Sequence, residues 1–277
     1  MNLAARKTVV WPPVESRDWP ESEKGLLAKL SARAMPRHVA VIMDGNGRWS
    51  KQQGLLDRIR GHEAGIESVR EITRTAAMLG ISVLTLYAFS KENWQRPRHE
   101  VAALMRLLER FAVQERDELM ENDIRLETIG DVADLPSSVR REILKTVELT
   151  RGNGGTTLIL ALSYGGRDDV IRAVKRIATE VAAGNIDPKE IDEDYLARYM
   201  DTANKPDPDL LIRTSGEFRI SNFLLWQIAY TELFVTPVMW PEFRRAHFLE
   251  ALVEYGQRER RYGGLGDLDS PPRPARP

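Results

Sequence analysis

An acid followed by glycines and an arginine is the stretch of this chain with the clearest chemical potential. Asp44 ends an apolar run at residues 39–43 and is followed by Gly45, Asn46, Gly47 and Arg48. Glycine and asparagine tolerate positive φ and leave backbone N–H groups free. A carboxylate, free amides and a guanidinium suit a magnesium ion and a phosphate group. The alternative is an ordinary strand-to-loop corner with a solvated aspartate, and a short glycine motif alone does not decide between the two.

Two further clusters combine arginine with small or hydrogen-bonding side chains. One lies at residues 90–97 and the other at residues 213–221. Arg213 and Arg219 flank a glycine-containing loop, and guanidinium groups bind phosphate oxygens in a bidentate manner. Ser221 has an alternative role as the N-cap of a helix predicted over residues 222–230. Trp94 in the first cluster could equally be a packing residue.

The order of predicted elements explains how these clusters could meet. Apolar strand-like runs alternate with helix-like segments, which predicts one α/β domain with a mainly parallel sheet covered by helices on both faces. Parallel strands place their carboxyl ends, and therefore all three clusters, at one edge, where such sheets bind ligands. The predicted strands are residues 39–43, 81–89, 124–129, 157–162, 210–213 and 233–235, and the predicted helices are 62–79, 98–121, 137–150, 166–183, 188–200, 222–230 and 241–257.

The predicted helix at 98–121 is apolar on nearly every side of its first half, through Val101, Leu104, Met105 and Leu108 among others. Core packing explains such a helix, and so does a helix that lines an apolar channel between helices and sheet. A phosphate-binding rim beside a hydrophobic channel would fit an amphiphile with a diphosphate head and a hydrocarbon tail.

Composition narrows the function further. The 277 residues carry a net charge of −1, which implies no general attraction to nucleic acid, and the absence of cysteine excludes disulfides and thiolate chemistry. No apolar run has the length of a membrane span and no secretory signal is evident, so a cytoplasmic protein is expected. We expect a peripheral extension over residues 1–35, with one amphipathic helix at 21–34, a catalytic domain over 36–264 and a disordered tail over 265–277.

Six motifs occur in order along residues 36–264: HVAVIMDGNGRW, GHEAG, LTLYAFSKENWQRP, SYGGR, DLLIRTSGE with RISNFLLWQIAYTEL, and RERRYGG. Together they resemble the cis-prenyltransferase family, to which undecaprenyl diphosphate synthases belong. The resemblance implies repeated condensation of isopentenyl diphosphate onto an allylic diphosphate such as farnesyl diphosphate. The expected product is a long Z-polyprenyl diphosphate, by default undecaprenyl diphosphate for cell-wall polysaccharide synthesis, although the sequence does not define its length. Loose, transient contact with a membrane would release so apolar a product.

The resemblance also implies roles for individual residues. Asp44 matches the essential acid that handles Mg²⁺, and Glu232, otherwise a surface acid, matches a second magnesium carboxylate. The allylic diphosphate site would comprise Gly45, Asn46, Gly47, Arg48, Arg58 and His62, and the isopentenyl diphosphate site Arg213, Arg219 and Ser221. Arg261 and Gly263 match residues that complete this site from a neighbouring subunit, which implies a homodimer. Ser90, Asn93, Trp94 and Arg96 match the loop over the reacting carbons, and the remaining predicted substrate-binding residues are Trp49, Lys91, Glu92 and Ile220.

Two features of the sequence qualify these assignments. One residue is inserted between Trp49 and His62 relative to the family's usual spacing, and Arg58 lies within this stretch. The family places a proton acceptor near Asn93, but an amide is a very weak base, so Asn93 is expected to orient a water or a phosphate oxygen that takes the proton. Two other functions remain open, namely a non-catalytic subunit of a prenyltransferase complex and a magnesium-dependent phosphohydrolase.

Overall fold

The computed structural model of the protein describes residues 19–30, 34–55 and 57–258. Arg261, Gly263, the predicted tail at 265–277 and most of the predicted N-terminal extension lie outside these residues. Within them, no helix is both long enough and apolar enough to cross a lipid bilayer.

Six strands form one sheet in the order β3-β4-β2-β1-β5-β6, and every neighbouring pair is parallel. This confirms the predicted α/β architecture. Parallel pairing requires long crossovers, which the helices between the strands supply. The strands are β1 (His38–Ile42), β2 (Val83–Ser90), β3 (Arg125–Ile129), β4 (Thr157–Tyr164), β5 (Leu210–Arg213) and β6 (Glu232–Val235).

Helices cover both faces of the sheet, as predicted. Alternate residues of β1 point to opposite faces, so Val39 and Val41 join one buried cluster while Ala40 and Ile42 join the other. The α-helices of the described residues are α1 (Glu21–Leu27), α2 (Asn46–Gln52), α3 (Ile59–Met78), α4 (Arg98–Gln114), α5 (Arg116–Glu121), α6 (Ser137–Leu149), α7 (Gly166–Ala182), α8 (Glu193–Ala197) and α9 (Arg245–Gln257).

The two faces are covered differently. Helices α3, α4, α6 and α9 pack on the first face, through buried residues such as Ile72 and Leu249. The second face is covered by the segment around Phe223 and Leu224 and by α7, whose Asp169 accepts a hydrogen bond from Gln227 at 3.3 Å. The apolar side of α1 packs on α9, and the guanidinium of Arg245 lies 5.1 Å from the ring centre of buried Trp19.

Several predicted elements differ from the structure. The predicted helix at 222–230 is wrong, because these residues form consecutive turns and Ser221, Asn222 and Leu224 have φ values of 49°, 60° and 45°. Such left-handed backbone cannot continue a right-handed helix. Ser221 is therefore not a helix N-cap. After Gly45 the difference is reversed, because the residues that were expected to form a turn are the first turn of helix α2.

Three helix lengths also differ. The helix predicted at 98–121 divides into α4 and α5 at Glu115, and the helix predicted at 188–200 shortens to α8. Within the described part of the 21–34 prediction, α1 ends at Leu27. These boundaries depend on caps and contacts that the apolar pattern does not encode.

Candidate active site

The clusters that follow β1 and β5 meet around Asp44. Arg213 Nη2 donates to Asp44 Oδ2 at 2.8 Å, and Arg48 Nη2 lies 3.3 Å from Asp44 Oδ1. The exposed Arg219 approaches the same carboxylate, with Nη2 at 4.0 Å from Oδ2. The parallel register explains the meeting, because Ile42 pairs with Arg213 in the sheet and both chains then turn at the same edge. Three cations therefore surround one acid.

Asp44 is ionised in this setting. Burial raises the pKa of its carboxyl, but hydrogen bonds from Arg213 and from the Gly45 N–H, together with the charges of Arg213 and Arg48, lower the pKa below its usual value overall. The Gly45 N–H donates to Asp44 Oδ1 at 2.7 Å, and the backbone N–H of Asp44 donates to Thr214 Oγ1 at 2.9 Å. The carboxylate is held by both its side chain and its backbone.

Glu217 is a second carboxylate in this cluster. It is the last residue of the motif DLLIRTSGE, and the family resemblance implied no role for it. Its Oε1 lies 3.0 Å from Arg48 Nη1, and its Oε2 accepts a hydrogen bond from Arg219. Arg48 and Arg219 therefore each contact both acids. The side chain of Arg219 is 59% exposed, whereas that of Arg213 is 5% exposed. Arg219 is therefore the accessible cation of the two, whereas Arg213 is a buried part of the cluster.

Arg213 also orders the loop that follows it. Its Nη1 donates to Ser221 Oγ at 2.8 Å and to the backbone oxygen of Arg219. Ile220, between these two residues, is partly buried against the second core cluster. Arg213, Arg219 and Ser221 are thus brought together on one loop, as a shared anion site requires.

Two glycines next to Asp44 allow a backbone conformation and a close side-chain contact that a larger residue would prevent. Gly45 has φ of 103°, a conformation that side-chain-bearing residues rarely adopt. A Cβ atom at Gly47 would lie 2.7 Å from Arg58 Nε. Arg58 therefore lies over Gly47, and its guanidinium is also 3.9 Å from Glu100. No side chain within the described ranges caps the first turn of α2, so these amides remain available to an anion.

Asn46 and Trp49 lie in α2 and make different contacts. Asn46 is buried and donates to the Met43 carbonyl at 3.2 Å, while its Oδ1 has no hydrogen-bond partner. Asn46 is one of the polar residues that line the cavity described below, although its Oδ1 is itself buried. Trp49 donates to Glu242 at 2.9 Å and is occupied by a structural contact.

His62 and Arg96 also line this cavity. Burial, with the charges of Arg96 and Arg58, lowers the pKa of His62 to about 4, so the imidazole is neutral at pH 7. Arg96 donates to the buried Glu100 at 3.1 Å. This part of the site therefore presents two guanidinium groups and a neutral imidazole near the start of α3.

The cluster after β2 forms a one-turn 3-10 helix at Lys91–Gln95. The Ser90 N–H donates to Asn93 Oδ1 at 3.1 Å, and Asn93 is among the residues that line the cavity. Glu92 Oε1 accepts from Asn222 at 2.9 Å. The cluster is thereby connected to the loop after β5.

Two residues of this cluster have structural partners away from Asp44. Lys91 Nζ donates to Asp134 at 3.0 Å and lies 3.5 Å from Asp131. Trp94 donates to Ser163 Oγ at 2.9 Å and packs edge-on against Phe89. The packing alternative for Trp94 is the one that its contacts support. The structure does not bring Lys91 into the arginine cluster.

An apolar cavity of about 160 Å³ opens beside these polar groups. It lies between the sheet, where Leu86 and Leu160 contribute, and helices α3 and α4. Its polar end carries Asn46, His62, Asn93 and Arg96, while the remaining walls are almost entirely hydrocarbon. The apolar lining comprises Met43, Gly65, Ile66, Val69, Ala88, Phe89, Leu104, Met105, Leu107, Leu108, Phe111 and Trp240, with Tyr87 as a polar exception.

Glu232 does not join Asp44 within one chain, contrary to the predicted pair of magnesium carboxylates. Glu232 is the first residue of β6 and pairs with Leu210 of β5, which in turn pairs with Val39 of β1. Val39 lies five residues before Asp44. That separation is roughly 16 Å along the strands alone. Glu232 instead accepts a hydrogen bond from Arg258 at 3.0 Å. The alignment of parallel strands places it at the opposite edge of the sheet.

The donor set fits a magnesium ion that is bound together with a phosphate ligand. No group of three His, Asp or Glu side chains is suited to hold a metal in the part of the chain that the structure describes. The partly exposed Asp44 is one oxygen donor beside several cations. Mg²⁺ is commonly held by one or two carboxylates plus substrate phosphates and waters. Asp44 therefore fits a magnesium site that is shared between the protein and a phosphate ligand better than a magnesium site made by protein side chains alone.

The fold and site define a class of protein: an α/β protein with one parallel sheet that pairs an arginine cluster at the carboxyl ends of its strands with an adjacent hydrocarbon-lined cavity. Comparison with known sequences identifies the family within that class. A sequence model described as putative undecaprenyl diphosphate synthase matches residues 42–263. The chain belongs to this cis-prenyltransferase, or isoprenyl transferase, family, and it is a transferase.

Two individual relatives are similar in sequence over most of the chain. The isoprenyl transferase of Chlorobaculum tepidum is 50% identical over 248 residues, covering 90% of this chain and 93% of that protein. That of Geobacillus kaustophilus is 51% identical over 231 residues, covering 83% and 90%. This degree of similarity supports the expected family directly from sequence.

Two solved structures share the fold. Lavandulyl diphosphate synthase from Lavandula x intermedia, solved in complex with dimethylallyl diphosphate, has a TM-score of 0.81 and 39% identity over 83% of this chain and 99% of that one. A probable undecaprenyl diphosphate synthase from Campylobacter jejuni has a TM-score of 0.68 and 32% identity over 82% and 98%. The family therefore includes proteins with different products.

Proposed function

We propose that this protein condenses isopentenyl diphosphate repeatedly onto an allylic diphosphate, with farnesyl diphosphate as primer, to make a long Z-polyprenyl diphosphate. Undecaprenyl diphosphate, a lipid carrier for cell-wall polysaccharide, is the product that the family resemblance favours. The observation that carries the proposal is the contact of three arginines with Asp44 beside a hydrocarbon-lined cavity. An anionic head and an apolar tail are accommodated together.

The two diphosphates occupy different parts of the cradle. The first turn of α2, with Arg48, Arg58 and His62, would hold the allylic diphosphate, whose tail then enters the apolar cavity. Arg213, Arg219 and Ser221 would hold isopentenyl diphosphate. This division is supported by the lining of the cavity, which includes His62 and does not include Arg219.

Bond formation joins C4 of isopentenyl diphosphate to C1 of the allylic substrate. The C1–O bond breaks, the diphosphate leaves with the bonding electrons, and a proton leaves C2 of the former isopentenyl unit. Arg48 and the α2 amides stabilise the negative charge that develops on the leaving group. Mg²⁺, held by Asp44 and phosphate oxygens, would supply further charge neutralisation when bound.

Asn93 positions the acceptor of the departing proton and does not take the proton itself. Its Oδ1 already accepts the Ser90 N–H, so the side chain presents a donor to the cavity. A donor can orient a water molecule or a diphosphate oxygen, and either is more basic than an amide. The proton would then go to that oxygen.

The protein is also proposed to act as a homodimer in the cytoplasm, with transient membrane contact for product release. Arg258, the first residue of the RERRYGG motif, donates hydrogen bonds to Glu232 and to the carbonyl of Leu233 in β6, and the motif therefore begins at a point remote from Asp44. This supports delivery of Arg261 and Gly263 to the site of a second copy. Within the described residues β6 is an edge strand, which proteins usually cover.

Incubation with farnesyl diphosphate, radiolabelled isopentenyl diphosphate and Mg²⁺ tests the proposal. A ladder of radiolabelled lipids, dephosphorylated and separated by chromatography, is the expected result, and its longest member gives the product length. Release of phosphate without isopentenyl diphosphate would identify a phosphohydrolase instead. No turnover by purified homodimer would favour a non-catalytic subunit.

A further inference from the structure

Asn222 connects three strand ends that carry the active site. Its backbone oxygen accepts the Gly166 N–H at 2.6 Å, and its side-chain Oδ1 accepts the Arg167 N–H at 3.0 Å. Its Nδ2 donates to Glu92 Oε1 at 2.9 Å. One asparagine in the loop after β5 therefore contacts the start of α7, which follows β4, and the cluster that follows β2.

The contacts to α7 replace a missing local cap. The N-cap residue of α7 is Gly165, which has no side chain with which to bind the first N–H groups. Asn222 satisfies two of those donors from 55 positions along the chain. A Cβ atom at Gly165 would lie 2.8 Å from Asn222 Nδ2, so the glycine makes room for this cap.

The backbone of Asn222 is suited to the connection. Its φ of 60° is left-handed, and asparagine tolerates this region better than most residues with a side chain. The preceding Ser221 is also left-handed, with φ of 49°, and its carbonyl oxygen accepts a hydrogen bond from Tyr87 at 3.3 Å. The side chain of Tyr87 stacks on Phe223 with ring centres 4.3 Å apart. These contacts hold the turn against its backbone strain.

The backbone turn at Ser221 and Asn222 also orders the arginine cluster. Ser221 Oγ accepts from Arg213 at 2.8 Å, and Arg213 contacts Asp44 at 2.8 Å. On the other side, Glu92 is adjacent to Asn93, which lines the cavity. Asn222 therefore lies between the groups assigned to isopentenyl diphosphate and the residue assigned to proton removal.

We propose that Asn222 is a positioning residue that sets the isopentenyl diphosphate loop against the Asn93 turn, by joining Glu92 to the first turn of α7. The inference rests on the proposed function, because it concerns the geometry of that site. It predicts that loss of the Glu92 contact raises KM for isopentenyl diphosphate while KM for the allylic primer stays within about twofold. A residue that served stability alone would lower the melting temperature without this selective change.

The polarity of the Asn222–Glu92 hydrogen bond provides a sharp test. Asn222→Asp keeps an oxygen for the Arg167 N–H, and a negative charge at a helix N-terminus is favourable. The variant also places the carboxylates of residue 222 and Glu92 next to each other, where they repel. KM for isopentenyl diphosphate should therefore rise about tenfold while α7 stays capped. The double variant Asn222→Asp/Glu92→Gln has the same net charge as the original pair and reverses donor and acceptor. It should recover most of the lost kcat/KM.

Asn222→Ala removes the side-chain contact to the Arg167 N–H and the contact to Glu92, but keeps the backbone contact to Gly166. Asn185→Ala, beyond the other end of α7, is the matched control at an exposed asparagine. We expect the control to keep both KM values. An Asn222→Asp enzyme with unchanged KM for isopentenyl diphosphate, or a double variant no better than this single variant, would overturn the positioning role. Each assay includes the unmodified protein. Absence of chain elongation in that sample would refute the proposed function, whereas elongation with unaltered variants would refute this inference alone.

Discussion

Arg213 reaches across from the end of β5 to Asp44 at the end of β1, with Nη2 and Oδ2 2.8 Å apart. The guanidinium is almost fully buried, so it cannot turn to solvent when a substrate arrives. Asp44 is more open and is the member of the pair that can accept a new ligand. Four predictions follow from this site and from the core around it.

Replacement of Asp44 by alanine should reduce turnover by a factor of about 10³ or more, because the leaving diphosphate loses its metal-binding carboxylate. The fold should remain, since Arg213 keeps hydrogen bonds to Ser221 and to the Arg219 carbonyl. Steady-state assays and circular dichroism measure the two effects. Asp44→Asn, which keeps the shape without the charge, should be similarly impaired. Full activity in either variant would exclude the proposed role for the acid.

Arg219→Ala should raise KM for isopentenyl diphosphate about 10- to 100-fold, the usual worth of a charge-assisted hydrogen bond. Because the Arg219 side chain is 59% exposed, stability should change little. Arg151→Ala removes a more exposed arginine, 77% accessible, next to α6 and should leave KM unchanged. If the two variants behave alike in titrations of initial rate, the phosphate site has been assigned to the wrong loop.

Acid should destabilise the protein through His38. Burial lowers the pKa of His38 to about 4, well under its value in an unfolded chain, although the Pro206 carbonyl opposes this. The unfolded state therefore takes up the proton first, and the stability that this site contributes above pH 6.5 is lost as the pH falls towards 4. Urea unfolding of His38→Gln at several pH values should show a shallower decline over this interval. An identical decline would mean that His38 does not titrate as described.

Side-chain bulk in the cavity should control product length. Leu108 lines its apolar wall, so Leu108→Trp should shorten the longest product by one or more five-carbon units, and Leu108→Ala should lengthen it. Leu144→Trp, at an exposed position on α6, is the matched control. Chromatography of dephosphorylated products gives the distribution. Identical distributions for Leu108→Trp and the control would place the growing chain elsewhere.

Much of this protein is encoded locally along the chain. The buried run before Asp44 and the alternation of strands and helices predict the parallel sheet, because apolar periodicity depends on near neighbours. Parallel strands then imply that their polar carboxyl ends, including Asp44 and Arg213, share one edge. Only the pairing of β1 with β5 in the folded sheet brings these two residues into contact. The motifs also identify the family, because their length and order are specific.

Other features depend on contacts between distant parts of the chain. Asn222 resembles the start of a helix in sequence, yet its backbone is left-handed because it caps α7 and binds Glu92. Glu232 lies within a motif of the site in sequence, but strand alignment places it at the opposite edge of the sheet from Asp44. Such positions follow from register and from long-range hydrogen bonds, whose partners no local pattern specifies, so folding of the whole domain determines them.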